Sequence, residues 1–224
     1  MALDFEELRR AMVDSQVRTT DVTDLPLLDA LLTVPREQFV PDQQKPFAYT
    51  DRDVPLDDGM SATPRYMMQA SPFAKMVQLA EIEADDFILD VGCGLGYSSA
   101  VLSRLGAAVI AVESDGDLAD KAMSKLASQG FDSVAVVTGP LEAGYAAEAP
   151  YNVVLVNGSI QTKPDTLLDQ LKPGGRLVVV EGEGLDAVVR LYIRDEQGII
   201  SDRTAFNASV KQLPGFAKAA EFEF

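Results

Sequence analysis

Three glycines and two acidic residues form the part of this chain best suited to chemistry. Residues 88–97 read Ile-Leu-Asp-Val-Gly-Cys-Gly-Leu-Gly-Tyr, and a second apolar run, 108–112, ends at Glu113. The pattern predicts a buried strand, a turn without side chains, a helix over 97–105, and a second strand with an acid at its end. A carboxylate placed there can accept hydrogen bonds from both hydroxyls of a ribose, so the pattern indicates a nucleotide-cofactor site.

The spacing of the glycines favours one cofactor over another. Dinucleotide sites use Gly-x-Gly-x-x-Gly, but here Gly92, Gly94 and Gly96 are followed by Tyr97 at the sixth position. Asp90, inside the strand, suits a cationic ligand better than a diphosphate, because two opposite unit charges ~4 Å apart attract by roughly 4 kcal/mol at an effective dielectric near 20. S-adenosylmethionine, which carries a sulfonium and an ammonium group, is therefore the expected cofactor. NAD is the weaker alternative.

The composition limits the remaining function classes. The chain has 19 Lys and Arg against 35 Asp and Glu, and its formal charge of −16 disfavours a nucleic-acid partner because it repels phosphate backbones. With no histidine and a single cysteine, Cys93, we expect no internal disulfide, no histidine-based triad and no metal site. No apolar run approaches the ~20 residues that span a bilayer, and no signal-peptide pattern is present, so we expect no membrane association and a cytoplasmic location.

Strand and helix patterns alternate along most of the chain and predict an α/β fold with a doubly wound, mostly parallel sheet. Residues 34–63, broken by prolines, are expected to form a loop with short turns that wraps over the rest of the chain, and 172–175 a turn. We expect an N-terminal helical and loop extension, 1–82, packed on a core, 83–224, as one structural domain overall. The predicted helices are 4–18, 25–34, 72–82, 97–105, 117–129 and 164–171, and the strands are 88–91, 108–112, 134–138, 151–156 and 176–180, with an antiparallel C-terminal hairpin of 187–194 and 198–206.

Longer motifs resemble the class I methyltransferases and, among them, the protein-L-isoaspartate O-methyltransferase family. The resemblance starts with Val-Pro-Arg-Glu-Gln-Phe-Val-Pro at 34–41 and Ala48-Tyr49, includes 89–97, and continues through 149–156 and 168–178, so it covers most of the chain. It implies a Rossmann-like α/β/α sandwich with a seven-stranded sheet, S-adenosylmethionine as donor and S-adenosylhomocysteine as product. The implied reaction is methyl-ester formation on isoaspartyl residues of proteins or peptides, a form of protein repair.

The donor site is expected to draw on four segments of the chain. Gly139-Pro140-Leu141 stands where the family has Gly-Asp-Gly, so adenine recognition is expected to rest on backbone groups and apolar contact. Cys93 is expected to contact the donor through its backbone. The candidate residues are Asp90, Gly92, Cys93, Gly94, Gly96 and Tyr97 in the glycine-rich stretch, Glu113 and Ser114 at the ribose, Gly139, Pro140 and Leu141 at the adenine, and Asn157 beside the methionine part or the acceptor.

The acceptor motif of the family, Gly-x-Thr-x-Ser before the first strand, is altered here. Counting back from Asp90 without gaps puts Tyr66 and Met68 at the two hydroxyl positions, whereas counting forward from Pro55 puts Ser61 and Thr63 there. We prefer Ser61 and Thr63 as the acceptor-site residues because that alignment keeps the glycine and both hydroxyls. Neither alignment restores the proline that follows in the family.

The lack of histidine bears on the identity of the acceptor. A carboxylate is ionised at neutral pH and needs no general base, whereas an amine or hydroxyl acceptor usually must lose a proton. This observation favours a carboxylate acceptor, although Asp, Glu, Tyr or Lys could also act as base. A methyltransferase with another acceptor and a non-catalytic S-adenosylmethionine-binding module with a protein partner remain alternatives. Arg65 could pair with an acceptor carboxylate, but an exposed arginine is the default expectation.

Overall fold

Parallel strands form the centre of the molecule. The computed structural model describes residues 3–57 and 63–218. The strands in these two ranges are β1 Val54–Pro55, β2 Tyr66–Met67, β3 Phe87–Val91, β4 Ala108–Glu113, β5 Val134–Thr138, β6 Tyr151–Ile160, β7 Leu171–Glu181, β8 Val188–Arg194 and β9 Ile200–Asn207. Seven of them form one sheet in the order β5-β4-β3-β6-β7-β8-β9, parallel from β5 to β7 and antiparallel from β7 to β9. The predicted doubly wound sheet and C-terminal hairpin are therefore confirmed.

The central strands are mostly apolar because helices cover both faces of the sheet. Successive side chains of a strand point to opposite faces, and Ile88 and Leu89 of β3 accordingly belong to two different hydrophobic clusters. Both side chains are fully buried. The helices in the described part of the chain are α1 Phe5–Met12, α2 Leu25–Thr33, α3 Ala70–Leu79, α4 Tyr97–Leu102, α5 Gly116–Ser128 and α6 Asp165–Leu168. None of these helices is long and apolar enough to cross a membrane.

The helix predicted over 4–18 is wrong in its second half. α1 ends at Met12 and continues as a π-helical turn, Val13–Val17, and a 3-10 turn, Arg18–Thr20. Hydroxyl groups explain the change, because Ser15 Oγ donates to Ala11 O at 2.6 Å and Thr20 Oγ1 donates to Val17 O at 2.8 Å, and such bonds compete with regular helix. The start of α2 was predicted correctly, since the Asp24 side chain accepts from Leu27 N at 2.7 Å.

The segment predicted as a loop with short turns over 34–63 contains such turns where it is described, together with the short strand β1. Two 3-10 turns, Arg36–Phe39 and Asp42–Phe47, precede β1, which pairs antiparallel with β2. The buried Arg36 side chain donates to Ala48 O at 2.7 Å and to Met68 O at 2.6 Å. These hydrogen bonds connect the segment to the chain just before α3. They hold the paired strands β1 and β2 beside the carboxyl ends of the central strands.

Several predicted boundaries require correction. α3 begins at Ala70, before Pro72, because proline is tolerated in the first turn of a helix. α4 and α6 are shorter than predicted. The predicted turn at 172–175 lies within β7, where the pairing with β6 shifts register. β6 also continues past Asn157 to Ile160, so Asn157 does not end the strand as expected.

Candidate functional site

The order of the strands creates a crevice between β3 and β6. From β3 the chain proceeds to β4 and β5 on one side, whereas β6 and β7 lie on the other side. Open α/β sheets bind ligands at such a switch point, outside the carboxyl ends of the strands. Asp90 of β3 lies opposite Leu155 of β6, which places Asn157 beside the start of the glycine turn. The two segments singled out in the sequence therefore meet at one place.

The glycine turn connects β3 to α4 in a conformation that side chains would disturb. Gly94 and Gly96 have φ values of +57° and +95°, in the left-handed region that favours glycine. A Cβ on Gly96 would lie 3.0 Å from the side chain of Leu126. Gly92 N donates to Val112 O at 2.8 Å, which ties the turn to β4. The backbone is thus bare and held against the neighbouring strand.

Asp90 is completely buried and is surrounded by neutral donors. Its carboxylate accepts from Ser98 Oγ at 2.7 Å, from Ser99 Oγ at 2.5 Å and from the side-chain amide of Asn157. Burial raises the pKa of Asp90 to about 6, and the three hydrogen bonds oppose that rise. The structure therefore brings Asp90 and Asn157 together. Ser98 and Ser99 were missed, although two serines in the first turn after a glycine loop are a usable sign.

Glu113 lies at the end of β4 with both carboxylate oxygens engaged. Oε2 accepts from Gly94 N at 2.9 Å and from Arg65 Nη2 at 2.9 Å, and Oε1 accepts from Ser114 N at 2.8 Å and Asp115 N at 3.2 Å. Glu113 is completely buried and only 4% of the Arg65 side chain is exposed. The expectation that Arg65 is exposed is wrong. Forty-eight positions separate the two residues, so no local sequence pattern could have revealed the pair.

The side predicted for the adenine is open. Gly139 N donates to Glu113 O at 3.0 Å, and a Cβ on Gly139 would have no atom within 4 Å. Pro140 is exposed, whereas Leu141 is fully buried and begins a short 3-10 turn. Ser114 is exposed, and its hydroxyl donates to Glu113 Oε1 at 3.2 Å. The open space beside Gly139 and the apolar turn at Leu141 is compatible with an adenine ring bound through apolar contact and backbone groups.

The opposite side of the turn carries side chains in this conformation. A Cβ on Gly94 would clash with Cδ1 of Leu56, and one on Gly92 would lie 3.0 Å from both Leu213 Cδ2 and Arg65 Nη2. These contacts involve the ends of flexible side chains. The glycine turn, the two acids and the open space at Gly139 fit S-adenosylmethionine once the side chains of Leu56, Leu213 and Arg65 move away from the turn.

A small pocket lies between the glycine turn and the chain before α3. Cys93 and Tyr97 line it but are themselves buried, and burial raises the pKa of the Cys93 thiol well above its usual range. Tyr97 packs against Phe73, and the Arg36 guanidinium lies 4.7 Å from the centre of its ring. Lining residues include Leu56, Tyr66, Met67, Met68, Gly92, Cys93, Leu95, Tyr97, Ser98 and Asn157.

The two alignments of the acceptor motif lead to different places. Tyr66 and Met68, from the gapless alignment, line the pocket beside the glycine turn. Thr63 is exposed at the rim of a neighbouring depression that also contains Lys211 and Leu213. Ser61 lies outside the described residues. Of the two residues preferred from the sequence, only Thr63 is described, and it is not among the residues that line the pocket beside the glycine turn.

Known proteins resemble this chain over nearly its full length. The family model for protein-L-isoaspartate(D-aspartate) O-methyltransferase matches residues 7–210. The chain is 36% identical over 222 residues to a protein-L-isoaspartate O-methyltransferase of Roseiflexus sp. (strain RS-1), with 98% of each chain covered. It is 37% identical over 174 residues to one of Methanoculleus marisnigri, covering 78% of this chain and 77% of the relative.

The fold is also shared with a solved structure. A putative protein-L-isoaspartate O-methyltransferase from Plasmodium falciparum, solved in complex with S-adenosyl-L-homocysteine, superposes with a TM-score of 0.76. The match covers 95% of this chain and 99% of that chain at 17% sequence identity. The likeness confirms the Rossmann-like methyltransferase fold predicted from the sequence.

Proposed function

Since the chain belongs to the protein-L-isoaspartate(D-aspartate) O-methyltransferase family, we propose that it uses S-adenosylmethionine to methylate the free carboxylate of isoaspartyl residues in proteins or peptides. The observation that carries the proposal is the pairing of two buried acids around one bare glycine turn: Asp90 beneath the turn, and Glu113 bonded to the backbone of Gly94. Asp90 attracts the cationic end of the donor, and Glu113 receives the ribose.

The chemistry asks little of the protein beyond positioning. The donor supplies an activated methyl group on a sulfonium; a carboxylate oxygen forms the new bond to carbon, the carbon–sulfur bond breaks, and no proton moves. Alignment of the two reactants and removal of water supply the rate acceleration in such an in-line displacement. The pocket lined by Met68 and Leu95 provides an apolar wall on the acceptor side. A chain without histidine can therefore perform this reaction.

The proposal can be tested with the full chain and radiolabelled S-adenosylmethionine. The acceptors are an isoaspartyl peptide and a peptide of the same sequence with a normal aspartyl residue. We expect label only in the isoaspartyl peptide, and we expect alkali to release it as methanol because methyl esters are base-labile. Equal labelling of both peptides, base-stable label, or no transfer despite S-adenosylhomocysteine binding would contradict the proposed acceptor.

A further inference from the structure

We propose that Arg65 couples the binding of the two substrates: it neutralises Glu113 before the donor binds, and it receives the carboxylate of the acceptor once the donor's ribose has taken Glu113. This inference rests on the proposed function. It assigns a positioning role to a residue that lies outside the altered hydroxyl positions.

The first support is the state of the Arg65 guanidinium. Nη2 donates to Glu113 Oε2 at 2.9 Å, but Nε and Nη1 are buried and have no hydrogen-bond partner among the described residues. A buried arginine normally pairs all its donors, since an unpaired polar group in a dry site is costly. Two unused donors next to the glycine turn indicate that this side chain has a second anionic partner.

The second support is that Glu113 cannot keep Arg65 and also receive a ribose. Besides Arg65, its carboxylate already accepts from backbone nitrogens of Gly94, Ser114 and Asp115. These backbone donors belong to the glycine turn and to the residues directly after β4, and they stay in place. The Ser114 hydroxyl also donates to Oε1, at 3.2 Å, but Ser114 is exposed, so Arg65 is the buried side chain that the ribose hydroxyls displace. Removing one member of a buried ion pair leaves the other charge uncompensated, and the released guanidinium must find a new anion or reach solvent.

The third support is the anchoring of the Arg65 backbone. Arg65 N donates to Asp57 Oδ2 at 2.8 Å, and Leu56 N donates to Arg65 O at 2.9 Å, next to the pairing of β1 with β2. The backbone is therefore held on both sides, and only the side chain needs to rotate. Its rotation clears the space next to Gly92, where Nη2 lies 3.0 Å from the position of a Cβ.

The residues around the released Arg65 side chain favour a carboxylate as its new partner. Arg65 lines a second pocket together with Asn157 and Lys211, and the Lys211 ammonium lies 5.3 Å from the centre of the Tyr66 ring. Asp53 is the acid of this pocket, and its carboxylate accepts from Gln69 N at 3.1 Å. In a chain with a formal charge of −16, a local arginine and lysine provide the place where an anionic acceptor can be held. The planar fork of a guanidinium matches a carboxylate.

Linkage then requires each substrate to strengthen binding of the other. The donor must break the pair of Arg65 and Glu113, which weakens its binding to the empty enzyme, and an acceptor that holds Arg65 removes this cost. In the wild-type chain we expect S-adenosylhomocysteine to tighten binding of an isoaspartyl peptide by about fivefold or more, the lower end of typical couplings. Equal peptide affinity with and without S-adenosylhomocysteine would overturn the coupling without any variant.

Arg65→Met separates this role from a purely structural one. Its S-adenosylhomocysteine dissociation constant should fall by about fivefold because no cation has to be displaced, while its KM for the peptide should rise by about tenfold. Arg65→Lys keeps a cation and should recover most of the peptide KM. Arg190→Met, which removes an arginine of β8 paired with Glu181, is the matched control and should change neither constant. Thermal unfolding verifies that each variant is folded.

The outcomes distinguish the coupling from the proposed function. If the wild-type chain transfers no methyl group to the isoaspartyl peptide, the proposed function fails. If Arg65→Met binds S-adenosylhomocysteine no more tightly than the wild type, the coupling fails whether or not the chain is active. A peptide KM that stays unchanged in Arg65→Met, or that is as high in Arg65→Lys as in Arg65→Met, refutes the pairing with the acceptor carboxylate.

Discussion

The hydroxyl of Ser99 donates to the carboxylate of Asp90 at 2.5 Å across the junction between β3 and α4. Ser99 is on the first turn of the helix and Asp90 is in the strand, and both are completely buried. The bond fixes the orientation of a carboxylate whose pKa is raised to about 6 by burial. Asp90 therefore changes its charge near pH 6.

Binding of S-adenosylmethionine should depend on pH through Asp90. Below about pH 6 the Asp90 carboxyl is protonated and cannot attract a cation, so the affinity should rise as pH increases through 6 and then level off. Isothermal titration from pH 5 to 8 measures this curve. S-adenosylhomocysteine, which lacks the sulfonium charge, should show a smaller effect. Asp90→Asn should bind S-adenosylmethionine more weakly at pH 8 with a flatter curve, and an unchanged curve in this variant would assign the titration to another group.

The same carboxyl also affects stability, with the opposite dependence on pH. Because the pKa of Asp90 is raised in the folded chain, its favourable contribution to the free energy of unfolding is complete below about pH 4 and is lost as pH rises through about 6. Urea unfolding of the wild type and of Asp90→Asn at pH 4.5, 6 and 7.5 tests this. The difference between the two proteins should move in favour of the variant as pH rises.

Glu113→Gln should reduce both stability and donor binding. The substitution leaves the Arg65 charge buried without a counter-ion, which typically costs about 3–5 kcal/mol in the free energy of unfolding. It also weakens the hydrogen bonds to the ribose, with an expected loss of donor affinity of about tenfold or more. Denaturant unfolding and S-adenosylhomocysteine titration measure the two effects. Glu181→Gln is the control: its pair with Arg190 has side chains 28% and 22% exposed and is far from the glycine turn in the sheet order, so donor affinity should stay unchanged and stability should fall much less than in Glu113→Gln.

Gly94→Ala and Gly130→Ala form a matched pair. Both glycines have positive φ, so each substitution should cost about 1–2 kcal/mol in the free energy of unfolding. A Cβ on Gly130 meets no atom within 4 Å, whereas a Cβ on Gly94 reaches the side chain of Leu56 and occupies space beside the glycine turn. Only Gly94→Ala should therefore abolish S-adenosylhomocysteine binding. Equal donor affinity in the two variants would place the donor elsewhere.

The two alignments of the acceptor motif make opposite predictions. If Ser61 and Thr63 are the acceptor-site residues, alanine at either position should lower kcat/KM for an isoaspartyl peptide by about tenfold, the value of one good hydrogen bond to a charged group. If the pocket positions decide instead, Ser61→Ala and Thr63→Ala should be neutral, and Tyr66→Thr with Met68→Ser should raise kcat/KM. Steady-state kinetics with the isoaspartyl peptide distinguish these results. Unchanged S-adenosylhomocysteine affinity in each of these variants confirms that only the acceptor side was altered.

The local sequence determined the parts of this protein that depend on periodicity and backbone conformation. Mainly apolar runs such as 88–91 and 108–112 predicted buried strands, and three closely spaced glycines predicted the turn between β3 and α4. Asp90 and Glu113 were assigned to one site because successive parallel strands end at the same edge of a sheet. The family resemblance rested on motifs spread over most of the chain and was confirmed by the family match.

Only the tertiary structure decided what surrounds these acids. The pair of Arg65 with Glu113 joins residues 48 positions apart, and the bond from Asn157 to Asp90 joins residues 67 apart. The continuation of β6 past Asn157 to Ile160 likewise follows from its pairing with β7. Periodicity reports which face of an element is buried, but it carries no information on which distant charge will lie against that face, because that choice is made by packing of the whole chain.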